Sequence, residues 1–164
     1  MNKIKLKIHT WPEEILKKKC KTVRKVDDKV KGFLNEMLSL MRIHSGVGLA
    51  ANQVGLDLSL IVVEFKDRVL KLVNPCIIRA QGIITLKEGC LSFPDLELEV
   101  KRRNKIQVQA LNEQGKSIKL KVEGVLSVIL QHEIDHINGI VFIDKISLWQ
   151  KLRVSGKLRA IGKK

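Results

Sequence analysis

Val30, Phe33, Leu34, Met37, Leu38 and Met41 recur at intervals of three and four. That spacing gathers them on one face and predicts a helix from about Asp27 to Ile43. At such spacing Met37 and Met41 are core side chains. A shorter helix is predicted over residues 12–19, where Pro12 suits a first turn, Glu13 and Glu14 follow it, and three lysines end it. Gly46-Val47-Gly48 breaks the helical period. Beyond it, Leu58 to Phe65, Val69 to Val73 and Ile77 to Leu86 are rich in branched residues and predict strands, with Asn74-Pro75 as a turn. Leu91 to Arg103 alternates apolar and charged residues from Leu96 onward, which supports a further strand. Lys105 to Leu111 and Ser117 to Val122 predict a hairpin around Asn112–Lys116. The helical period returns after Gly124, where Val125, Val128, Ile129, His132 and His136 share a face, and runs out at Gly139.

The pattern predicts one α+β domain over residues 1–164. Mostly antiparallel sheets should pack around a central helix carrying His132 to His136. An N-terminal helix precedes the strands, and a basic C-terminal helix lies within residues 145–164. Hydrophobic residues make up 45% and aromatics 4%, with no Tyr, so the core must be built from Ile, Leu and Val. No run approaches the roughly 18–20 apolar residues of a membrane span. Residues 1–10 lack the apolar stretch of a signal peptide, so the expectation is a chain that starts near Met1 and works in the cytoplasm. Cys20, Cys76 and Cys90 are odd in number and unpaired in spacing, which argues for a reducing compartment.

The net charge is +14, from 31 basic and 17 acidic residues. Such a chain either meets a polyanion, RNA above all, or carries a solvated basic surface. Only the C-terminus concentrates the charge, in Lys145, Lys151, Arg153, Lys157, Arg159, Lys163 and Lys164, with no acid among them.

Residues 132–136 read His-Glu-Ile-Asp-His. On a helix the two imidazoles stand one turn apart on one face and can share a tetrahedral metal ion. Glu133 then lies beside the open coordination position, where it can serve as a general base. A third protein ligand is required. The downstream ligands of the familiar zinc proteases are missing: Phe142 stands where one class has a His, and Asp144 is the only acid after His136. Upstream, Cys90 in Glu88-Gly89-Cys90-Leu91-Ser92 is the better candidate. A thiolate with two imidazoles suits Zn(II), Fe(II), Co(II) or Ni(II).

Three segments together resemble the peptide deformylase family. Gly46-Val47-Gly48-Leu49-Ala50-Ala51-Asn52-Gln53 is similar to its Gly-x-Gly-Leu-Ala-Ala-x-Gln motif. Glu88–Ser92 is similar to Glu-Gly-Cys-Leu-Ser, and Gln131–His136 to Gln-His-Glu-x-Asp-His. All three match in full and in order, and the similarity extends over nearly the whole chain. Ser127 and Ile137 depart from the family's usual Ala and Leu.

The resemblance implies a metal-dependent hydrolase that removes the formyl group from N-formylmethionyl nascent peptides and releases formate. It implies Cys90, His132 and His136 as metal ligands, Fe(II) as the usual metal, and Glu133 as the proton carrier. The Gln53 amide and the Leu91 backbone N–H would hold the oxyanion. Val47 and Gly48 would form the rim that pairs with substrate. Glu88 and Arg102 would form an ion pair near the mouth, unless Arg102 is one more surface base. Val125, Val128 and Ile129 either line the methionine pocket or are plain core. The basic tail either touches ribosomal RNA or packs as a terminal helix with a solvated face. Two competing readings are a general metallopeptidase and an RNA-binding protein with incidental histidines.

Overall fold

The chain is described by a computed structural model over residues 6–163. The expectations for residues 1–5 and for Lys164 lie outside that range. Helix α1 (Asp28–Ile43) starts where the periodicity places it. The Asp27 side chain caps it, accepting from the Val30 N–H at 2.9 Å, and its whole predicted apolar face is buried. Residues 12–19 form only a 3₁₀ turn, Glu14–Lys17, in which Leu16 is the one fully buried side chain. One anchoring residue does not offset the cost of nucleating a longer helix.

Strands β1 (Gly48–Ala50), β2 (Leu60–Phe65), β3 (Arg68–Gln81), β6 (Lys105–Leu111) and β7 (Ser117–Glu123) form one sheet in the order β1-β2-β3-β6-β7. Strands β4 (Ile84–Cys90) and β5 (Phe93–Arg102) form a separate hairpin. Every pairing between these strands is antiparallel. The Asn74-Pro75 pair is not the expected turn. Strand β3 runs through it with a register shift between Val73 and Cys76. Asn74 sits at φ +52°, and its side chain bonds the Val23 N–H (2.9 Å) and carbonyl (2.8 Å), tying β3 to the segment that precedes α1. The chain bends instead at Gly82, whose φ of +65° favours glycine, between the end of β3 and the start of β4. The expected strand from Ile77 to Leu86 is thereby divided between β3 and β4.

The sheet is covered on both faces only where it meets two helices. Ile61 and Val63 of β2 point toward α2 (Val125–Ile137) and pack with Leu126, Ile129, Leu130 and Ile134. Leu60 and Val62 point the other way and pack with Leu34, Met37 and Met41 of α1. This explains why β2 is a continuous apolar run while β6 alternates. Helix α2 is buried almost all round, as expected of a helix held between other elements. A third core lies behind β5, where Phe93, Leu96, Leu98 and Val100 meet Val141, Phe142, Ile143 and Ile161. The C-terminal helix α3 (Leu148–Ile161) closes it through Val154, Leu158 and Ile161. Among the described residues no helix is long and apolar enough to cross a membrane.

Candidate active site

Three segments converge where β4 ends, β1 passes into a 3₁₀ turn, and α2 is most buried. Cys90 is the last residue of β4, at a register irregularity that follows Gly89. His132 and His136 lie one turn apart on α2. The Cys90 Sγ and His136 Nε2 are 3.2 Å apart, as are the two Nε2 atoms. All three ligand atoms lie within 4.8 Å of one another. A tetrahedral ion with bonds of about 2.0–2.3 Å would set its ligand atoms about 3.3–3.6 Å apart. The donor set and its spacing therefore fit a metal ion, with one coordination position left for a reactant.

The surrounding charges are ordered. His132 Nδ1 meets Glu88 Oε2 at 2.8 Å. Glu88 in turn accepts two hydrogen bonds from Arg102, at 2.7 and 3.0 Å, and Arg102 also pairs with Asp135, one turn along α2. Burial disfavours a charge on both imidazoles. At His132 the Cys90 and Glu88 contacts outweigh it and raise the pKa, whereas at His136 the charges of His132 and Arg102 add to burial and lower it. Burial also opposes ionisation of Glu88, but its hydrogen bonds to His132 and Arg102 hold its pKa below the usual carboxylate range. The surroundings thus favour a proton on His132 and disfavour one on His136.

Glu133 is 4% exposed. Burial pushes its carboxyl up to about 7, the range in which a group both takes and returns a proton near neutral pH. Its Oε2 has no hydrogen-bond partner among the described residues. Gly48 makes room for it: a Cβ there would fall 2.8 Å from Glu133 Cδ. Gln53 is equally buried. Its Oε1 accepts from the Ala50 N–H at 2.9 Å, while its Nε2 donates to Ser92 Oγ at 3.0 Å and lies 3.4 Å from Cys90 Sγ. Gln53 is thus held in place from both ends of its amide.

A cavity of about 890 Å³ opens onto this cluster. Gly46, Val47 and Gly48 border it on one side and Gly89, Cys90 and Leu91 on the other, with Gln53, His132 and Glu133 also in its lining. Seven of the expected residues thus reach the cavity itself: Val47, Gly48, Gln53, Cys90, Leu91, His132 and Glu133. His136 stands just behind them. Glu88 and Arg102 do not lie at the mouth. They form a buried pair that supports His132 from behind, each offsetting most of the cost of taking the other's charge out of water. Val128 and Ile129 are buried beside His132, and Val125 is 46% exposed at the first turn of α2. None of the three borders the cavity.

The sequence reading missed Asp135 and Ser92. It also missed the structural use of Gln131, whose side chain both accepts from the Arg103 N–H (2.9 Å) and donates to the Arg103 carbonyl (2.7 Å). All three lie inside the motifs already noted, so the signal was present but carried no role.

Residues 5–152 match the family model described as polypeptide deformylase. A peptide deformylase of Aquifex aeolicus is 43% identical over 147 residues, covering 86% of this chain and 87% of that protein. The crystal structure of a peptide deformylase from Legionella pneumophila superposes with a TM-score of 0.90 at 37% identity, covering 96% of this chain and 95% of that one. A plant peptide deformylase superposes with a TM-score of 0.94 at 31% identity, covering 99% and 92%.

Proposed function

Because this chain belongs to the polypeptide deformylase family and is an enzyme that removes N-formyl groups from new polypeptides, we propose that Cys90, His132 and His136 hold its metal and that Glu133 and Gln53 serve the reaction. The observation that carries this reading is the meeting of a thiol and two imidazoles within 4.8 Å, beside a buried, unpartnered carboxylate. When bound, the metal would polarise the formyl carbonyl and acidify water, and Fe(II) is the metal we expect, with Zn(II), Ni(II) or Co(II) as substitutes.

The peptide lies along the Gly46–Gly48 rim, where Val47 and Gly48 present backbone to it. Its methionine side chain enters the cavity beside Leu91 and His132, and Val125, Val128 and Ile129, which do not border that cavity, do not line its pocket. Glu133 accepts a proton from the attacking water and returns it to the departing amine. The Gln53 Nε2 and the Leu91 N–H donate to the oxygen of the formyl group as charge builds there. Glu88 keeps the proton on His132 Nδ1, which leaves Nε2 as the ligand atom. The bond that breaks joins the formyl carbon to the amine nitrogen, and the products are formate and a free N-terminus.

Cys90→Ala, His132→Ala and His136→Ala variants test the assignment. Each should retain little metal by elemental analysis and release formate at background rates. Metal retained in full by any two of them would remove the proposed ligand set. A general metallopeptidase would instead cut internal peptide bonds of an unformylated substrate. The cations of α3 face away from the third core, and we propose that they meet ribosomal RNA, placing the enzyme in the cytoplasm beside its substrate. Reversing Lys151, Arg153 and Arg159 to Glu should lower co-sedimentation with ribosomes in a salt-dependent way, and unchanged co-sedimentation would refute the contact.

A further inference from the structure

His132 and His136 stand on one helix, yet their outer nitrogens are treated differently. His132 Nδ1 has Glu88 at 2.8 Å. His136 turns Nε2 toward Cys90 and His132, so its Nδ1 points away from the ligand cluster, and there it is buried with no partner among the described residues. A buried ring N–H left without an acceptor is costly, and ligating histidines almost always donate that proton to a carbonyl, carboxylate or water.

A complementary orphan lies on the neighbouring residue. Asn52 is fully buried. Its Nδ2 donates to the carbonyl oxygens of His136 (2.5 Å) and Lys18 (3.5 Å), while its Oδ1 is a buried acceptor with no partner. Asn52 directly precedes Gln53 and occupies a position the motif leaves open, so the sequence attached no role to it. The His136 carbonyl does not depend on Asn52, because it also accepts the Gly139 N–H at 2.9 Å. An amide placed there only to satisfy that carbonyl would be redundant.

We propose that Asn52 is the positioning residue of His136, as Glu88 is of His132. Its Nδ2 grips the backbone carbonyl of His136. Its Oδ1 accepts a hydrogen bond from the Nδ1–H, directly after a small rotation of the amide or through one bridging water. The two contacts fix the ring orientation and leave Nε2 as the ligand atom. Because Asn52 and Gln53 are consecutive, the same turn then sets the oxyanion-side amide relative to the ligand cluster. The inference rests on His136 being a metal ligand.

The test is zinc affinity of the full chain, by competition with a chromophoric chelator, together with the melting temperature of each protein with and without zinc. Asn52→Leu keeps the volume and removes both contacts. It should bind Zn(II) about 10–100-fold more weakly, with a smaller zinc-induced rise in melting temperature. Asn52→Asp keeps an acceptor oxygen and removes the donor. It should bind more tightly than Asn52→Leu, and it decides the matter if the leucine variant fails to fold. Wild-type zinc affinity in Asn52→Leu would overturn the inference, as would a folded Asn52→Asp that binds as weakly as the leucine variant. A wild-type chain that takes no zinc would overturn the ligand assignment and this inference with it.

Discussion

Helices α2 and α3 are nearly equal in length, at 13 and 14 residues, and opposite in how they use polar side chains. On α2 almost every residue is buried, so Ser127, Gln131, His132, Glu133 and His136 all lie out of water. Each must find a partner or hold a function, and the identity of each is therefore dictated by what it faces. On α3 only Ile161 is fully buried. Its four cations, Lys151, Arg153, Lys157 and Arg159, are solvated and form no ion pair among the described residues. Leu148, Trp149 and Leu152 are 71%, 78% and 57% exposed. A polar residue on α2 is informative about chemistry because its burial has to be compensated. A cation on α3 is compatible with many surfaces because water already satisfies it.

The comparison breaks most visibly at Glu133. Glu133→Ala should lower kcat by about 10²–10⁴-fold while the protein still folds and retains metal, measured as formate release and elemental content. Gln53→Leu should follow, with a loss of about 10²–10³-fold and little change in metal content. A loss confined to KM would show that Gln53 binds substrate without stabilising the oxyanion.

Arg102 extends the comparison to the residues that support α2. Arg102→Leu leaves the Glu88 carboxylate, 5% exposed, with only the His132 ring as a partner. It should cost about 3–5 kcal/mol by denaturant unfolding, the range for breaking a buried pair from one side. On α3 the expectation reverses. Trp149→Ala should change stability by no more than about 0.5 kcal/mol and leave formate release unaltered. A large effect would mean that the exposed end of α3 is part of the folded core.

Thiol chemistry gives the smallest effect. Cys20 is buried, and burial pushes its pKa up to about 11, so the thiol stays protonated at pH 8. Cys76 is exposed. Iodoacetamide at pH 8 should therefore modify Cys76 well before Cys20, and peptide mapping that found Cys20 modified first would contradict the burial assigned to it.

The legibility of the sequence follows the same division. Helix α1, the β6–β7 hairpin and α2 were readable because each shows a periodic apolar face. Asn74-Pro75 was misread as a turn because local residue preference gives no sign of the two hydrogen bonds from the Asn74 side chain to Val23. The strand breaks at Gly82 instead, where φ is positive. The metal cluster could be read from His132, His136 and the absence of a downstream ligand. Its supports could not. Arg102 sits in the run Lys101-Arg102-Arg103, and nothing local distinguishes the one that turns inward. That choice is made by β5, whose alternation buries Leu96, Leu98, Val100 and Arg102.

The most direct test uses anaerobically purified protein, with formate release from formyl-Met-Ala-Ser and metal content measured on the same sample. The account predicts stoichiometric metal, rapid formate release, loss of both on chelation and recovery of both when Fe(II) or Ni(II) is returned. A metal-loaded, folded sample that released no formate, or activity undiminished after complete removal of metal, would contradict it.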